Sequence, residues 1–100
     1  ANFISAGSIT AAGEVTAYSD VRLKSNIKTL EGSLSKILQM RGVEYDKDDA
    51  HRIGVIAQEV EQIMPFLVGE DSAGYKTVAY QNMVGLLIEA IKEQNEENKY

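Results

Sequence analysis

Apolar positions change their spacing several times along this 100-residue chain. Leu30, Leu34, Ile37 and Leu38 recur at helical intervals, and Gly42 supplies a natural stop. Val43-Glu44-Tyr45 alternates as a short strand does. The acidic turn Asp46-Lys47-Asp48-Asp49-Ala50 then leads to a second strand-like run, Ile53-Gly54-Val55-Ile56. A short helix is predicted from Ala57 to Met64 with Val60, Ile63 and Met64 on one face. Pro65 ends it, because the residue before proline avoids the helical region. Phe66-Leu67-Val68 reads as a brief strand, residues 69–74 as a polar turn and residues 75–79 as the returning strand. The last helix is predicted over residues 80–98. Met83, Val84, Leu86, Leu87, Ile88 and Ile91 make its first half apolar on more than one face, which is more than one small core needs. Part of that surface is expected to meet another subunit, and the helix is wholly polar from Lys92 onward. The expected class is α+β, with short antiparallel strands in the middle and three helices.

The first 18 residues follow a different rule. Ser5-Ala6-Gly7-Ser8-Ile9-Thr10 is followed by Ala11-Ala12-Gly13-Glu14-Val15-Thr16, a six-residue unit of small, Ala, Gly, polar, β-branched and Thr. Short periods of this kind point to fibrous or solenoid β structure, with Gly allowing the corner between brief strands. A flexible small-residue linker is the other reading. Phe3, Ile4, Ile9 and Val15 cannot build a core alone, so an ordered segment must pair with copies of itself or with another domain.

Composition narrows the chemistry. At this length one domain is expected, with about 65% of the unfolded chain's surface buried. The formal net charge is −5, from 15 acidic and 10 basic residues, which disfavours a phosphate backbone as partner. There is no Cys, hence no disulfide, thiolate nucleophile or zinc finger, and the lone His51 cannot complete a two-histidine metal motif. Asp46 to His51 brings oxygen ligands close together, but His51 stands where a calcium loop needs Gly and Ala57 where it needs Glu, so a solvated turn is expected. No cofactor, metal, nucleic acid or membrane partner is expected. The longest mainly apolar run, Met83 to Ile91, is too short to cross a bilayer. Residues 1–17 lack the pattern of a signal peptide, and a start at Ala1 reads as a piece of a longer protein.

What survives is Ser, Thr, Lys, Tyr and carboxylates, and one stretch combines them: Tyr18-Ser19-Asp20-Val21-Arg22-Leu23-Lys24. A serine hydroxyl is a poor nucleophile until a base takes its proton, and lysine is an established alternative to histidine in that role. The lysine must be neutral to act, which burial or neighbouring positive charge favours. Arg22 and Lys28 are the candidate neighbours. A serine and a lysine at this spacing also occur together as ordinary surface residues.

Ser19-Asp20-Val21-Arg22-Leu23-Lys24-Ser25-Asn26-Ile27 resembles the opening motif of the C-terminal intramolecular chaperone domain of phage tail spikes and fibres, a self-cleaving serine peptidase family found behind endosialidases. Gly54-Val55-Ile56-Ala57-Gln58-Glu59-Val60 with Met64-Pro65 resembles the family's central signature. Val78-Ala79-Tyr80 with Leu86-Leu87-Ile88-Glu89-Ala90-Ile91-Lys92-Glu93 resembles its terminal helix. The resemblance implies a homotrimer with the last helix at its centre. It implies a chaperone domain over residues 19–100 that registers an upstream β-stalk ending in residues 1–18, and a cut between Tyr18 and Ser19. By position, Ser19 is then the nucleophile and Lys24 the general base, with Asp20 and Arg22 in positioning roles. The expected setting is a virion tail fibre or spike precursor assembled in the bacterial host cytoplasm, the chaperone being absent from the mature virion. Two other readings stay open: a trimeric fibre-assembly domain that never cuts, and an adaptor that binds a partner through its acidic face.

Overall fold

In a computed structural model the structure describes residues 8–98. Residues 5–7 of the six-residue repeat, Phe3 and Ile4, and the last two positions of the polar tail lie outside the described residues. The elements run in the order of a 3-10 turn (Val21–Leu23), helix α1 (Ser33–Gln39), strands β1 (Val43–Lys47) and β2 (Ala50–Gly54), helix α2 (Ala57–Ile63), a 3-10 turn (Pro65–Leu67), strands β3 (Val68–Glu70) and β4 (Lys76–Val78), a 3-10 turn (Tyr80–Asn82) and helix α3 (Met83–Glu97). Three helices and two antiparallel hairpins make this an α+β fold, as the apolar spacing predicts.

The hairpin β1–β2 is tighter than its acidic composition implies. Lys47 pairs with Ala50, leaving only Asp48 and Asp49 in the loop, both at positive φ (52° and 61°). That backbone is the two-residue turn whose twist matches a hairpin, and aspartate tolerates it better than most residues. Asp46, Lys47 and Ala50, expected in the turn, therefore belong to the strands. The second strand ends at Gly54, so Val55 and Ile56 lie beyond it. The smaller hairpin, β3–β4, is closed by an Asp71 side chain that accepts hydrogen bonds from the N–H groups of Ala73 and Tyr75, both at 2.9 Å.

Two predicted segments are displaced. Phe66 and Leu67 form a 3-10 turn opened by Pro65, whose fixed φ suits a first helical position, and the strand starts only at Val68. Leu67 is buried there while Phe66 is exposed. Leu30 precedes α1, and within α1 Leu38 is exposed, whereas Ser33 is buried and Leu34, Lys36 and Ile37 are half-buried.

The core is small. Val60, Leu67 and Leu86 form its centre, with Ile37, Met40, Val55, Met64, Val68 and Met83 packed around it and Ala90 buried along α3. Helix α1 lies against α3, and its start is fixed from a distance. Gly32, at φ 69°, turns the chain into the helix without a side-chain cap of its own. A carboxylate oxygen of Glu93, on α3, instead accepts the hydrogen bond of the Leu34 N–H at 3.0 Å. A bidentate pair joins Arg41 to Glu59, both contacts 2.8 Å, and ties the loop after α1 to α2. Lys76 of β4 reaches Glu61 of α2 at 3.1 Å and Glu70 of β3 at 3.5 Å.

Much apolar surface remains uncovered. The chain exposes 8778 Å², whereas a compact monomer of this size exposes about 5,600 Å². Its radius of gyration is 16.0 Å, against about 13 Å for a compact chain of 100 residues. Burial is thus nearer 45% than the expected 65% or so. Part of the excess is the segment from residue 8 to 18, which forms no strand within the chain. Another part is on α3. Met83, Leu86, Ala90 and Glu93 face inward, while Val84, Leu87, Ile88 and Ile91 are exposed on the far side. Among the described residues, no helix is long and apolar enough to cross a membrane.

Candidate functional site

The junction between the N-terminal segment and the folded part is built by one short turn. Asp20 has extended backbone and caps the 3-10 turn, its Oδ1 accepting from the Arg22 N–H at 2.8 Å. The same carboxylate receives the Arg22 guanidinium, Nε at 3.1 Å and a second nitrogen at 2.8 Å. Backbone bonds from Leu23 N to Asp20 O (3.0 Å) and from Lys24 N to Val21 O (3.1 Å) close the turn. A serine five residues before a lysine in extended chain would lie far from it. The turn folds the chain back, and Lys24 Nζ lies 2.7 Å from Ser19 Oγ, donating a hydrogen bond to it.

The electrostatics of the turn are local. The Arg22 side chain, then its backbone N–H, hold the Asp20 carboxyl below the usual carboxylate range, and Asp20 in turn raises Arg22. Arg22 therefore directs its charge at Asp20. The other expected cationic neighbour, Lys28, has no hydrogen-bond or ion-pair partner among the described residues. Tyr18, Ser19, Asp20, Arg22 and Lys24 are all exposed. The turn can present a hydroxyl to an amine beside the Tyr18–Ser19 peptide, but this chain alone does not exclude water from them.

The central signature occupies structural positions instead. A Cβ at Gly54 would stand 2.8 Å from the Tyr80 hydroxyl and 3.3 Å from Tyr45 ring and hydroxyl atoms, so only glycine admits both tyrosines at the end of β2. Tyr80 Oη accepts a long hydrogen bond from the Val55 N–H at 3.4 Å. Glu59 pairs with Arg41, and Val60 is the centre of the core. The contribution of Glu93 to α1 could not be found from local pattern, because the two partners are 59 residues apart.

The acidic stretch around His51 forms a cross-strand cluster. His51 Nε2 lies 3.1 Å from Glu44 and Nδ1 lies 3.0 Å from Asp46, and these carboxylates, Glu44 foremost, raise the imidazole pKa. Among the described residues no group of His, Asp and Glu side chains is arranged to hold a metal ion.

Residues 19–69 match the model of a peptidase-type family described as chaperone of endosialidase. The match starts at the serine of the junction turn and runs through α1, the β1–β2 hairpin and α2 into β3. The chain is also similar to the long tail fiber protein Gp37 of Enterobacteria phage K3 and to that of Enterobacteria phage T2. Each is 39% identical over a 92-residue alignment that takes in 81% of this chain and 7% of the relative. The chain thus spans only a small part of the tail-fibre proteins it matches. With half of its length, from the junction serine to the second hairpin, fitting the family's model, this chain belongs to the chaperone of endosialidase family.

Proposed function

We propose that residues 19–100 are an intramolecular chaperone that trimerises, registers the stalk of a phage tail fibre ending in residues 1–18, and then frees itself by cutting between Tyr18 and Ser19. The observation that carries this reading is the 2.7 Å contact between Lys24 Nζ and Ser19 Oγ at the start of the family match. The fibre context is supported by the likeness to the two long tail fiber proteins. The setting that follows is a virion tail fibre precursor in the host cytoplasm, with the chaperone shed before the virion matures.

The reaction uses only the chain's own groups. With Lys24 neutral, its Nζ takes the Ser19 hydroxyl proton along the existing contact, and Oγ bonds to the adjacent Tyr18 carbonyl carbon. The Tyr18–Ser19 C–N bond breaks, the proton passes from Lys24 to the departing Ser19 amine, and an ester links Tyr18 to Oγ. Water then hydrolyses that ester to the Tyr18 carboxylate and restores the Ser19 hydroxyl. Asp20 acts as a positioning residue: its cap and its pair with Arg22 hold the turn that places the amine.

Burial disfavours the ammonium relative to the neutral amine, and both members of the pair are exposed in the single chain. Assembly that covers the turn would therefore switch the base on, so that cutting reports a completed trimer. Short repeats can pair in many registers, and a folded trimeric end fixes one of them and concentrates the strands. Removing that end leaves a stalk held by a slow unfolding rate.

Gel mobility and mass spectrometry of the full chain test the chemistry. Ser19→Ala and, separately, Lys24→Met are expected to leave one full-length band, while the unaltered chain releases a fragment beginning at Ser19. Cleavage at the ordinary rate in either variant removes that residue from the mechanism. The coupling to assembly is tested with Leu87→Asp on the exposed side of α3. Rapid cutting by a variant shown to be monomeric would separate cleavage from assembly. The exposure of Ser19 and Lys24 favours one second reading, an assembly domain that never cuts, and a single uncut band from the unaltered trimer would establish it.

A further inference from the structure

Two uncovered surfaces in this chain complement each other. The first is the strip that follows the scissile bond: Val21, Leu23 and Ile27 are each at least 65% exposed, on a segment whose internal bonds are confined to one turn. Residues 21–28 hold Arg22, Lys24 and Lys28 and no acidic residue. The second is a cleft of about 490 Å³ between the base of hairpin β1–β2 and the start of α3, lined by Val43, Ile53, Gly54, Val55, Tyr80 and Met83. Ile53 is 78% exposed there. Glu44 also lines the cleft, and Asp46 stands two residues along the same strand on the same face, as their shared contact with His51 shows.

We infer that the strip at residues 21–28 of one copy docks in the hairpin–α3 cleft of a second copy. Apolar side chains without cover meet an apolar cleft without an occupant, and a basic segment meets an acidic rim. Lys28 is the cation available for Glu44 and Asp46, since Arg22 is already matched by Asp20.

The inference rests on the assembly reading above and adds to it the surface that completes the site. Burying Leu23 and Val21 removes water from the neighbouring Lys24 without placing a carboxylate on it, which favours the neutral amine that the reaction needs. The second copy would then supply the dry surroundings of the Ser19–Lys24 pair, and the rim charge would set the register of one chain on the next.

The test uses the full chain, which has no cysteine of its own. Leu23→Cys and Ile53→Cys are combined, the protein is oxidised and run on a denaturing gel, and the native mass of the unaltered chain is measured in parallel. The double variant is expected to give disulfide-linked dimers and trimers, with each single variant remaining at monomer size. Absent or purely intrachain crosslinks in a chain of trimeric mass would overturn the docking and leave the assembly reading standing. A monomeric native mass would overturn both. As a second measure, Ile53→Asp, at a position exposed within the chain, is expected to slow cleavage at least tenfold while the circular dichroism spectrum keeps its helical content. An unchanged rate counts against the cleft.

Discussion

The junction turn and the α1–α3 pair both hold side chains by hydrogen bonds, but over different lengths of chain. In the turn the partners are two and five residues apart, Arg22 with Asp20 and Lys24 with Ser19. Between the helices, Glu93 reaches the Leu34 N–H across 59 residues. The turn has geometry without burial, since its residues are exposed. The core has burial, but among the described residues its apolar members at full depth are only Val60, Leu67, Leu86 and Ala90. In the proposed reaction the local turn is enough to align Ser19 with Lys24, and what the single chain does not give them is a dry environment. In the proposed assembly a second chain would supply that cover and add to the burial of the small core.

That contrast can be broken in four ways. The largest effect is expected from Leu86→Ala, which empties the centre of the core and costs about 2–5 kcal/mol. Circular dichroism should show a large fall in melting temperature, and cleavage should fail along with assembly. Asp20→Ala attacks the other region. It is expected to slow cleavage by about tenfold, the scale of a lost helix cap, with the melting temperature unchanged. Asp20→Asn keeps an acceptor for the Arg22 N–H and should recover part of the rate. A matching drop in melting temperature would show that the turn is tied to the core after all.

Glu93→Ala removes the distant cap of α1 and is expected to cost about 1–2 kcal/mol, read by denaturant unfolding. Hydrogen exchange should show α1 opening ahead of α2. The smallest effect concerns pH. Glu44 first, and Asp46 second, raise the pKa of His51. Its contribution is therefore complete below the ordinary histidine value of about 6.5 and fades as pH rises through the raised one. Comparison with His51→Gln should show faster exchange of hairpin amides in the variant at pH 5 and none of that difference at pH 8.

Several elements are legible from residue order alone. Helix α2 and strands β1 and β4 follow from apolar spacing and from Pro65, and the Ser19–Lys24 pair follows from a short motif whose members stay adjacent in space. Other elements are misread for a definite reason. The acidic run 46–50 looks like a loop by composition, yet pairing across the hairpin confines the turn to Asp48 and Asp49. Leu38 has the spacing of a core residue, but α3 covers only one side of α1. Phe66 and Leu67 have strand-like chemistry, and the fixed φ of Pro65 starts a 3-10 turn instead.

Sequence by itself determines the class of chemistry open to this protein. With no cysteine and a single histidine, Ser, Thr, Lys, Tyr and carboxylates are what remain, and the proposed Ser19–Lys24 pair lies within six residues of chain. Tertiary structure alone decides which apolar residues are left over. The spacing of Val84, Leu86, Leu87, Ala90 and Ile91 marks α3 as apolar on several sides, but only packing against α1 and α2 assigns Leu86 and Ala90 inward and leaves Val84, Leu87 and Ile91 outside. The physical reason is that burial is a property of what lies opposite a side chain, and no local pattern specifies a partner many residues away or on another chain.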